Sequence, residues 1–118
     1  MIVKQKKIKK PWGYELIWAN CSKFAGKILV IDAGQRLSRQ YHLQKEEAIY
    51  VLNGTLTLEI GQKENLKTIL LNPGESFHVR PGTIHRFCAS DGRVELAEVS
   101  TPELDDVVRL EDDYDRSK

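Results

Sequence analysis

The sequence has few of the residues that build disulfide scaffolds, zinc knuckles or membrane spans. Its 118 residues include two cysteines, Cys21 and Cys88, without CxxC spacing, so we expect both thiols to be reduced and structural. No apolar run approaches the ~20 residues that a membrane helix needs. The basic N-terminus runs into Pro11-Trp12-Gly13 rather than into the apolar core of a signal peptide. We therefore expect a cytoplasmic protein with no membrane partner.

A large net charge is also missing. The 18 basic and 17 acidic residues leave a formal charge of +1, which lacks the positive field of a nucleic-acid-binding protein. The charges are nevertheless uneven, because lysines crowd the start of the chain and acidic residues crowd its end. The basic group is Lys4, Lys6, Lys7, Lys9 and Lys10, and the acidic group is Asp105, Asp106, Glu111, Asp112, Asp113 and Asp115. Each group is either a solvated face or a pairing partner of the other, within one chain or across a dimer.

Sustained helical periodicity is absent from the middle of the chain, where short β-rich runs alternate with turn signals. The predicted strands are 27–31, 36–42, 48–52, 55–60, 68–71, 76–79, 85–88 and 94–99. Asn53-Gly54 lies between two of them and predicts a β-hairpin. Strands at this spacing in a chain long enough for one domain predict an all-β sandwich or barrel.

The two ends flank this predicted barrel core, residues 27–100, within a single domain of residues 1–118. In the N-terminal arm, residues 1–26, the segment Ile2 to Ile8 is predicted to add a strand to a neighbour's sheet edge, which favours a homodimer. In the acidic tail, residues 101–118, the segment Asp105 to Arg116 is predicted to form one or two helical turns.

Histidine is scarce, and two of the three histidines lie in turn-bounded β segments. Alternation along the strand predicts that Arg36, Ser38, Gln40 and His42 share one face. Buried without partners, such groups would cost ~1–3 kcal/mol each, and a metal with a polar ligand would offset that cost. His78 is expected to lie at the surface or to pack within a sheet.

The remaining candidate ligands are a carboxylate near a turn and a second histidine. The carboxylate is Glu47 or its neighbour Glu46, and the histidine is His85, which follows Pro81-Gly82-Thr83-Ile84. Imidazole, carboxylate and amide oxygen together suit zinc, iron, manganese or cobalt more than an ion that prefers oxygen ligands alone.

These segments carry a resemblance to a known family. Gly34, Gln40-Tyr41-His42, Glu47 and Gly54 resemble the first cupin motif, and Gly74 with Pro81 to His85 resembles the second. The sequence is more narrowly similar to the cupin domain of type II mannose-6-phosphate (phosphomannose) isomerases. That similarity rests on Lys10-Pro11-Trp12-Gly13, Arg36-Leu37-Ser38, Pro81 to Arg86 and Arg109 to Arg116. It departs from the family at Leu43 to Ala48, where those proteins have a histidine-rich run.

The resemblance implies a cupin fold, a double-stranded β-helix or jelly-roll barrel. It also implies one divalent metal ion on Gln40, His42, Glu47 and His85, with zinc as first choice and cobalt, manganese, iron or nickel as alternatives. The implied activity interconverts mannose 6-phosphate and fructose 6-phosphate. In the family this domain usually follows a guanylyltransferase domain, so the chain would be a stand-alone version.

An isomerase that uses an enediol route needs a group that moves a proton between carbons 1 and 2 and a group that holds the phosphate. For the proton the candidates are Glu98, Lys45 and Arg109. For the phosphate the candidates are Arg36, Lys10 and Arg80, since guanidinium and ammonium groups bind phosphate oxygens.

Two rival functions follow from the same residues. The first is a cupin module of polysaccharide biosynthesis that binds a sugar, sugar phosphate or nucleotide sugar without turnover. The second is another cupin activity, such as an oxygenase, epimerase or lyase, because a fold does not decide its chemistry. A proton-transfer group beside the metal would favour an enzyme, and an apolar wall there would favour a binding module.

Overall fold

The computed structural model describes residues 1–116, which form eleven strands and one short 3-10 turn. The last two residues of the predicted acidic tail, Ser117 and Lys118, lie outside the described residues. The strands are β1 (Lys6–Lys10), β2 (Gly13–Asn20), β3 (Ala25–Ile31), β4 (Arg39–Tyr41), β5 (Glu47–Asn53), β6 (Leu56–Ile60), β7 (Lys67–Leu71), β8 (Ser76–Val79), β9 (His85–Cys88), β10 (Val94–Ser100) and β11 (Val108–Glu111). Within residues 1–116, no helix is long and apolar enough to cross a membrane.

The strands form two antiparallel sheets that enclose one core. The first sheet has the order β1-β2-β3-β10-β5-β8, and the second has the order β11-β4-β9-β6-β7. Apolar side chains from both sheets meet in the core, including Leu29 and Ile49 from the first sheet and Leu58 and Phe87 from the second. The all-β prediction is confirmed.

The inner face of the first sheet changes from apolar to polar along the strands. The buried residues run in the order Ile31, Leu29, Lys27 on β3, Val94, Leu96, Glu98 on β10 and Val51, Ile49, Glu47 on β5. At the apolar end, each fully buried Leu, Ile or Val contributes about 1.5–3 kcal/mol by leaving water. The polar end is available for a site because the apolar end stabilises the barrel.

Asn53-Gly54 forms a turn, but the hairpin prediction is wrong. Strand β5 pairs with β10 and β8 in the first sheet, whereas β6 pairs with β7 and β9 in the second. Both edges of β5 are therefore occupied, and the turn carries the chain from one sheet to the other. Gly54 has φ +80°, and a Cβ there would lie 2.2 Å from the carbonyl oxygen of Arg93, so the turn requires glycine.

The helical turns predicted between Asp105 and Arg116 are also wrong. Val108–Glu111 forms strand β11, which pairs with β4 and extends the second sheet. The β-branched pair Val107-Val108 suits a strand, and β4 offers it an open edge. We call residues 101–116 the C-terminal strap.

The strap is fixed to the barrel by arginines of the second sheet. Arg86 is fully buried and donates to the carbonyl oxygen of Leu37 at 2.8 Å, to Glu111 at 2.6 Å and to Asp113 at 3.0 Å. Arg36 holds Asp113 through two hydrogen bonds of 2.7 and 2.9 Å. These acidic tail residues therefore pair with the barrel of their own chain.

The predicted alternation from Arg36 to His42 is wrong in its first half. Regular strand begins only at Arg39, and Arg36 forms an isolated bridge with Cys88. Leu37 joins the core in its place, which turns the Arg36 side chain outward to the strap.

The N-terminal arm forms strand within its own chain. Residues Lys6–Lys10 pair with β2, and β1 is the edge of the first sheet. The predicted homodimer stays a prediction.

Candidate metal centre

Three buried side chains from separate elements converge at the polar end of the barrel. His42 follows β4, Glu47 begins β5 and His85 begins β9, and they are 2%, 3% and 1% exposed. One potential ligand atom from each lies within 4.8 Å of the others. The distance from Glu47 Oε1 is 2.9 Å to His42 Nε2 and 3.6 Å to His85 Nε2.

Hydrogen bonds behind the two histidines direct their lone pairs into this space. His85 Nδ1–H donates to the carbonyl oxygen of Thr83 at 2.8 Å, and His42 Nδ1–H donates to the carbonyl oxygen of Asp106 at 2.5 Å. Each Nε2 is then an acceptor that faces the Glu47 carboxylate. His85 Nε2 is buried and has no hydrogen-bond partner among residues 1–116.

The protonation states favour cation binding. Burial lowers the pKa of His85, which keeps its imidazole neutral. Burial alone would raise the pKa of Glu47, but a hydrogen bond from Glu98 and the charge of Lys45 lower it well below its usual range. A neutral imidazole at His85 and a carboxylate at Glu47 are forms that bind a divalent metal, and together with His42 they make a donor set that fits such an ion.

The structure also resolves the choice between adjacent carboxylates. Glu46 is exposed and pairs with the exposed His78, as expected for a histidine at the surface. Glu47 is the member that joins His42 and His85. Gln40 lies opposite His85 in the strand register. It lines a cavity that His42 and Glu47 also line, and its side-chain oxygen accepts a hydrogen bond from Ser38 Oγ at 2.6 Å.

A buried lysine–glutamate pair adjoins the ligand cluster. Lys45 Nζ lies 3.2 Å from Glu98 Oε2 and 3.9 Å from Glu47 Oε2. Burial and the neighbouring charge of Glu47 raise the pKa of Glu98 well above its usual value. Burial opposes the charged form of Lys45, but Glu98 and Glu47 outweigh this effect and raise its pKa. Two proton-holding groups therefore lie beside the candidate ligands.

His42, Glu47, Lys45 and Glu98 line a cavity of about 670 Å³, together with other residues from strands of both sheets and from the strap. The lining includes Lys10, a phosphate candidate from the sequence, and the three proton-transfer candidates Lys45, Glu98 and Arg109. Arg109 lies opposite Gln40 in the register of β11 and β4, and its buried Nε has no hydrogen-bond partner among residues 1–116. Arg36 and Arg80 are not among the described residues that line the cavity.

Sequence reasoning missed three residues of this region. Lys27 and Glu15 are buried, line the cavity and form an ion pair of 3.3 Å, which Lys10 extends at 4.0 Å. Lys27 interrupts the apolar alternation of β3, and this interruption could have indicated a buried charge at that position. Asp106 was assigned only to the acidic tail. Its contact with the loop after His42 depends on the pairing of β11 with β4, two strands that are distant in sequence.

The two sheets, the graded interior and the histidine–glutamate cluster define a cupin barrel, which confirms the predicted fold class. A protein with a double-stranded β-helix domain from Klebsiella pneumoniae superimposes with a TM-score of 0.70 at 14% identity, covering 90% of this chain and 85% of that one. The family model described as mannose-6-phosphate isomerase C-terminal matches residues 2–112. The chain belongs to that family, as the sequence resemblance predicted.

Curated relatives agree with this assignment. The xanthan biosynthesis protein XanB of Xanthomonas campestris is 31% identical over 118 residues, covering 95% of this chain and 24% of the relative. The mannose-1-phosphate guanylyltransferase ManC of Salmonella typhimurium is 34% identical over 118 residues, covering 94% of this chain and 23% of the relative. The chain thus spans about a quarter of the length of these relatives.

Proposed function

We propose that this chain is a metal-dependent isomerase that interconverts mannose 6-phosphate and fructose 6-phosphate. The observation that carries the proposal is the meeting of two kinds of group in one cavity. Ligand atoms of His42, Glu47 and His85 converge beside the cavity, which His42 and Glu47 line, and the Lys45–Glu98 pair lies directly beside them. An aldose–ketose isomerase needs both an electrophile and a proton carrier at adjacent positions.

His42, Glu47 and His85 would hold the metal, with Gln40 as a fourth ligand and zinc as the first candidate. A divalent ion there would supply Lewis-acid polarisation of the substrate's oxygens on carbons 1 and 2. The side chain of Gln40 can turn its second lone pair to the site while Ser38 holds the first. Burial of the cluster excludes water, which strengthens every charge interaction in it.

Glu98 is the proposed base that moves a proton between carbons 1 and 2. Its raised pKa brings its affinity for a proton toward the range that a proton carrier needs at neutral pH. Lys45, 3.2 Å away, donates to the same carboxylate and can balance negative charge on the substrate's oxygens. Arg109 lies on the opposite wall, and its buried Nε has no hydrogen-bond partner among residues 1–116, so we assign it to the phosphate rather than to these oxygens.

For the phosphate we propose Lys10 together with Lys27 and Arg109. All three line the cavity, whereas Arg36 is engaged by Asp113 and Arg80 is exposed. Glu15 holds Lys10 and Lys27 on either side of one carboxylate. Two ammonium groups and a guanidinium leave a positive surplus that suits a phosphate dianion.

The test is isomerisation of mannose 6-phosphate by protein stripped of metal and reloaded with zinc, cobalt or manganese. We expect turnover in wild type and in His78→Ala, which removes an exposed histidine, and its loss in His85→Ala. Glu98→Gln should lower kcat by about 10²–10⁴-fold, the usual contribution of a general base. Metal uptake without turnover in any loaded form would refute the isomerase and leave the non-catalytic binding module.

A further inference from the structure

Asp106, in the C-terminal strap, contacts the loop between the first two metal-ligand candidates. Its carboxylate accepts hydrogen bonds from the backbone amides of Leu43 at 3.0 Å, Gln44 at 2.7 Å and Lys45 at 2.8 Å. Three consecutive amides therefore converge on a single carboxylate. These amides belong to the chain that connects His42 to Glu47, so their position sets the positions of both side chains.

The same residue acts on His42 through its main chain. The carbonyl oxygen of Asp106 accepts from His42 Nδ1–H at 2.5 Å. This bond fixes the tautomer and the ring plane, and it directs the Nε2 lone pair toward Glu47 Oε1, 2.9 Å away. Asp106 thus holds the loop with its side chain and aims the ligand with its backbone.

The carboxylate of Asp106 is the acceptor of all three hydrogen bonds from the loop amides. Hydrogen bonds to an ionised acceptor are about twice as strong as neutral ones. The strap that carries Asp106 is itself fixed to the barrel through Arg86 and Arg36.

We propose that Asp106 is the positioning residue of the metal centre, which makes the C-terminal strap a required part of that centre. Removal of its carboxylate releases loop 43–45, shifts the carbonyl that orients His42 and weakens metal binding. The inference rests on the metal-binding half of the proposed function and not on isomerase turnover. Loss of partners behind a metal-bound histidine usually weakens metal affinity by about 10–100-fold.

The first experiment measures zinc affinity of the full chain by competition with a chromophoric chelator. Asp106→Ala should bind zinc about 10–100-fold more weakly than wild type. Glu103→Ala, which removes an acidic side chain from the same strap, should bind as wild type does. Equal affinities of Asp106→Ala and wild type would overturn the proposal.

The second experiment separates positioning from general destabilisation. In the cobalt-loaded protein, proton NMR resolves the exchangeable Nδ1–H signals of the two ligand histidines, and His85 serves as an internal control because it donates to Thr83. Asp106→Ala should shift or broaden the His42 signal and leave the His85 signal in place. Equal loss of both signals would show a structural effect only and contradict the proposal.

Asp106→Asn keeps one side-chain oxygen for the loop amides. If the alanine variant does not fold, the zinc affinity and His42 signal of this variant test the positioning role instead. We expect it to recover most of the affinity, within about tenfold of wild type, because neutral acceptors retain about half the strength. A loss larger than 100-fold in Asp106→Asn, with the His42 signal unchanged, would contradict positioning. Intact zinc binding without turnover would refute the isomerase and leave this inference standing.

Discussion

Glu47→Gln should abolish metal-dependent stabilisation while leaving the metal-free protein folded. The glutamine amide can donate to His42 Nε2, which lies 2.9 Å from the present carboxylate oxygen, because His42 Nδ1–H is already committed to Asp106. The substitution also removes a buried negative charge without changing volume. We therefore expect the free energy of unfolding of the metal-free variant to lie within about 1 kcal/mol of wild type.

The effect of metal can be worked out from mass action. At zinc concentrations about 100 times the dissociation constant, wild type gains about 2.7 kcal/mol. In a domain of this size that raises Tm by about 10 °C. If loss of the carboxylate weakens binding about 100-fold, the same zinc concentration gives the variant only about 0.4 kcal/mol, which is a rise of about 2 °C.

The assay is thermal unfolding followed by circular dichroism, with and without zinc. Glu46→Gln is the matched control, since it makes the same chemical change at the adjacent exposed position, and it should keep the wild-type shift. An undiminished zinc shift in Glu47→Gln, or its loss in Glu46→Gln instead, would refute the assignment of the ligand.

Three further predictions concern the buried charges and one turn. Because Glu98 keeps its proton in the folded state after the unfolded chain has lost it, metal-free wild type should lose stability relative to Glu98→Gln as pH rises above about 4.3, the pKa of an unperturbed glutamate. The difference in free energy of unfolding should approach about 1.4 kcal/mol per pH unit, and parallel curves from urea titrations would contradict it. Arg86→Ala should cost about 3 kcal/mol in urea unfolding because it removes a fully buried side chain and its hydrogen bonds to Leu37, Glu111 and Asp113, whereas the exposed Arg93→Ala should cost under about 0.5 kcal/mol. Gly54 and Gly34 share φ +80°, but of these two only Gly54 would place a new Cβ against a backbone oxygen. The free energy of unfolding of Gly54→Ala should therefore be lower than that of Gly34→Ala by at least about 2 kcal/mol. Equal losses of stability in the two variants would contradict the steric argument.

Much of the barrel could be predicted from local sequence. Alternation and turn residues identify the strands from Ala25–Ile31 to Val94–Ser100, because a half-buried strand shows its period of two directly. The motif spacing likewise identifies the histidine–glutamate cluster, including Glu47. Each of these signals lies within a few residues of the feature that it predicts.

The errors concern pairings that are distant in sequence. Asn53-Gly54 is a sound turn signal, but which sheet receives the next strand depends on edges that are already occupied. The fate of Val108–Glu111 depends in the same way on the open edge of β4, more than sixty residues earlier. Arg36 turns outward because Leu37 fits the core, and alternation alone cannot indicate an interrupted strand.

Buried charges were the other class of feature that local patterns did not reveal. Glu15 looks like an ordinary surface residue in the sequence, Lys27 shows only as a polar interruption of β3, and the closed barrel brings the two together at 3.3 Å. Asp106 belongs to a run of acidic residues that predicts a solvated tail. Its role becomes visible when β11 brings the strap against the loop after His42.

The most direct test of the central claim is a metal titration of turnover. Metal-free protein is given zinc in increments, and conversion of mannose 6-phosphate to fructose 6-phosphate is measured at each step. The account predicts that the rate rises linearly and reaches its plateau at about one zinc per chain, since one His42–Glu47–His85 cluster holds one ion. Full turnover by the metal-free protein, or none at one equivalent of bound metal, would contradict it.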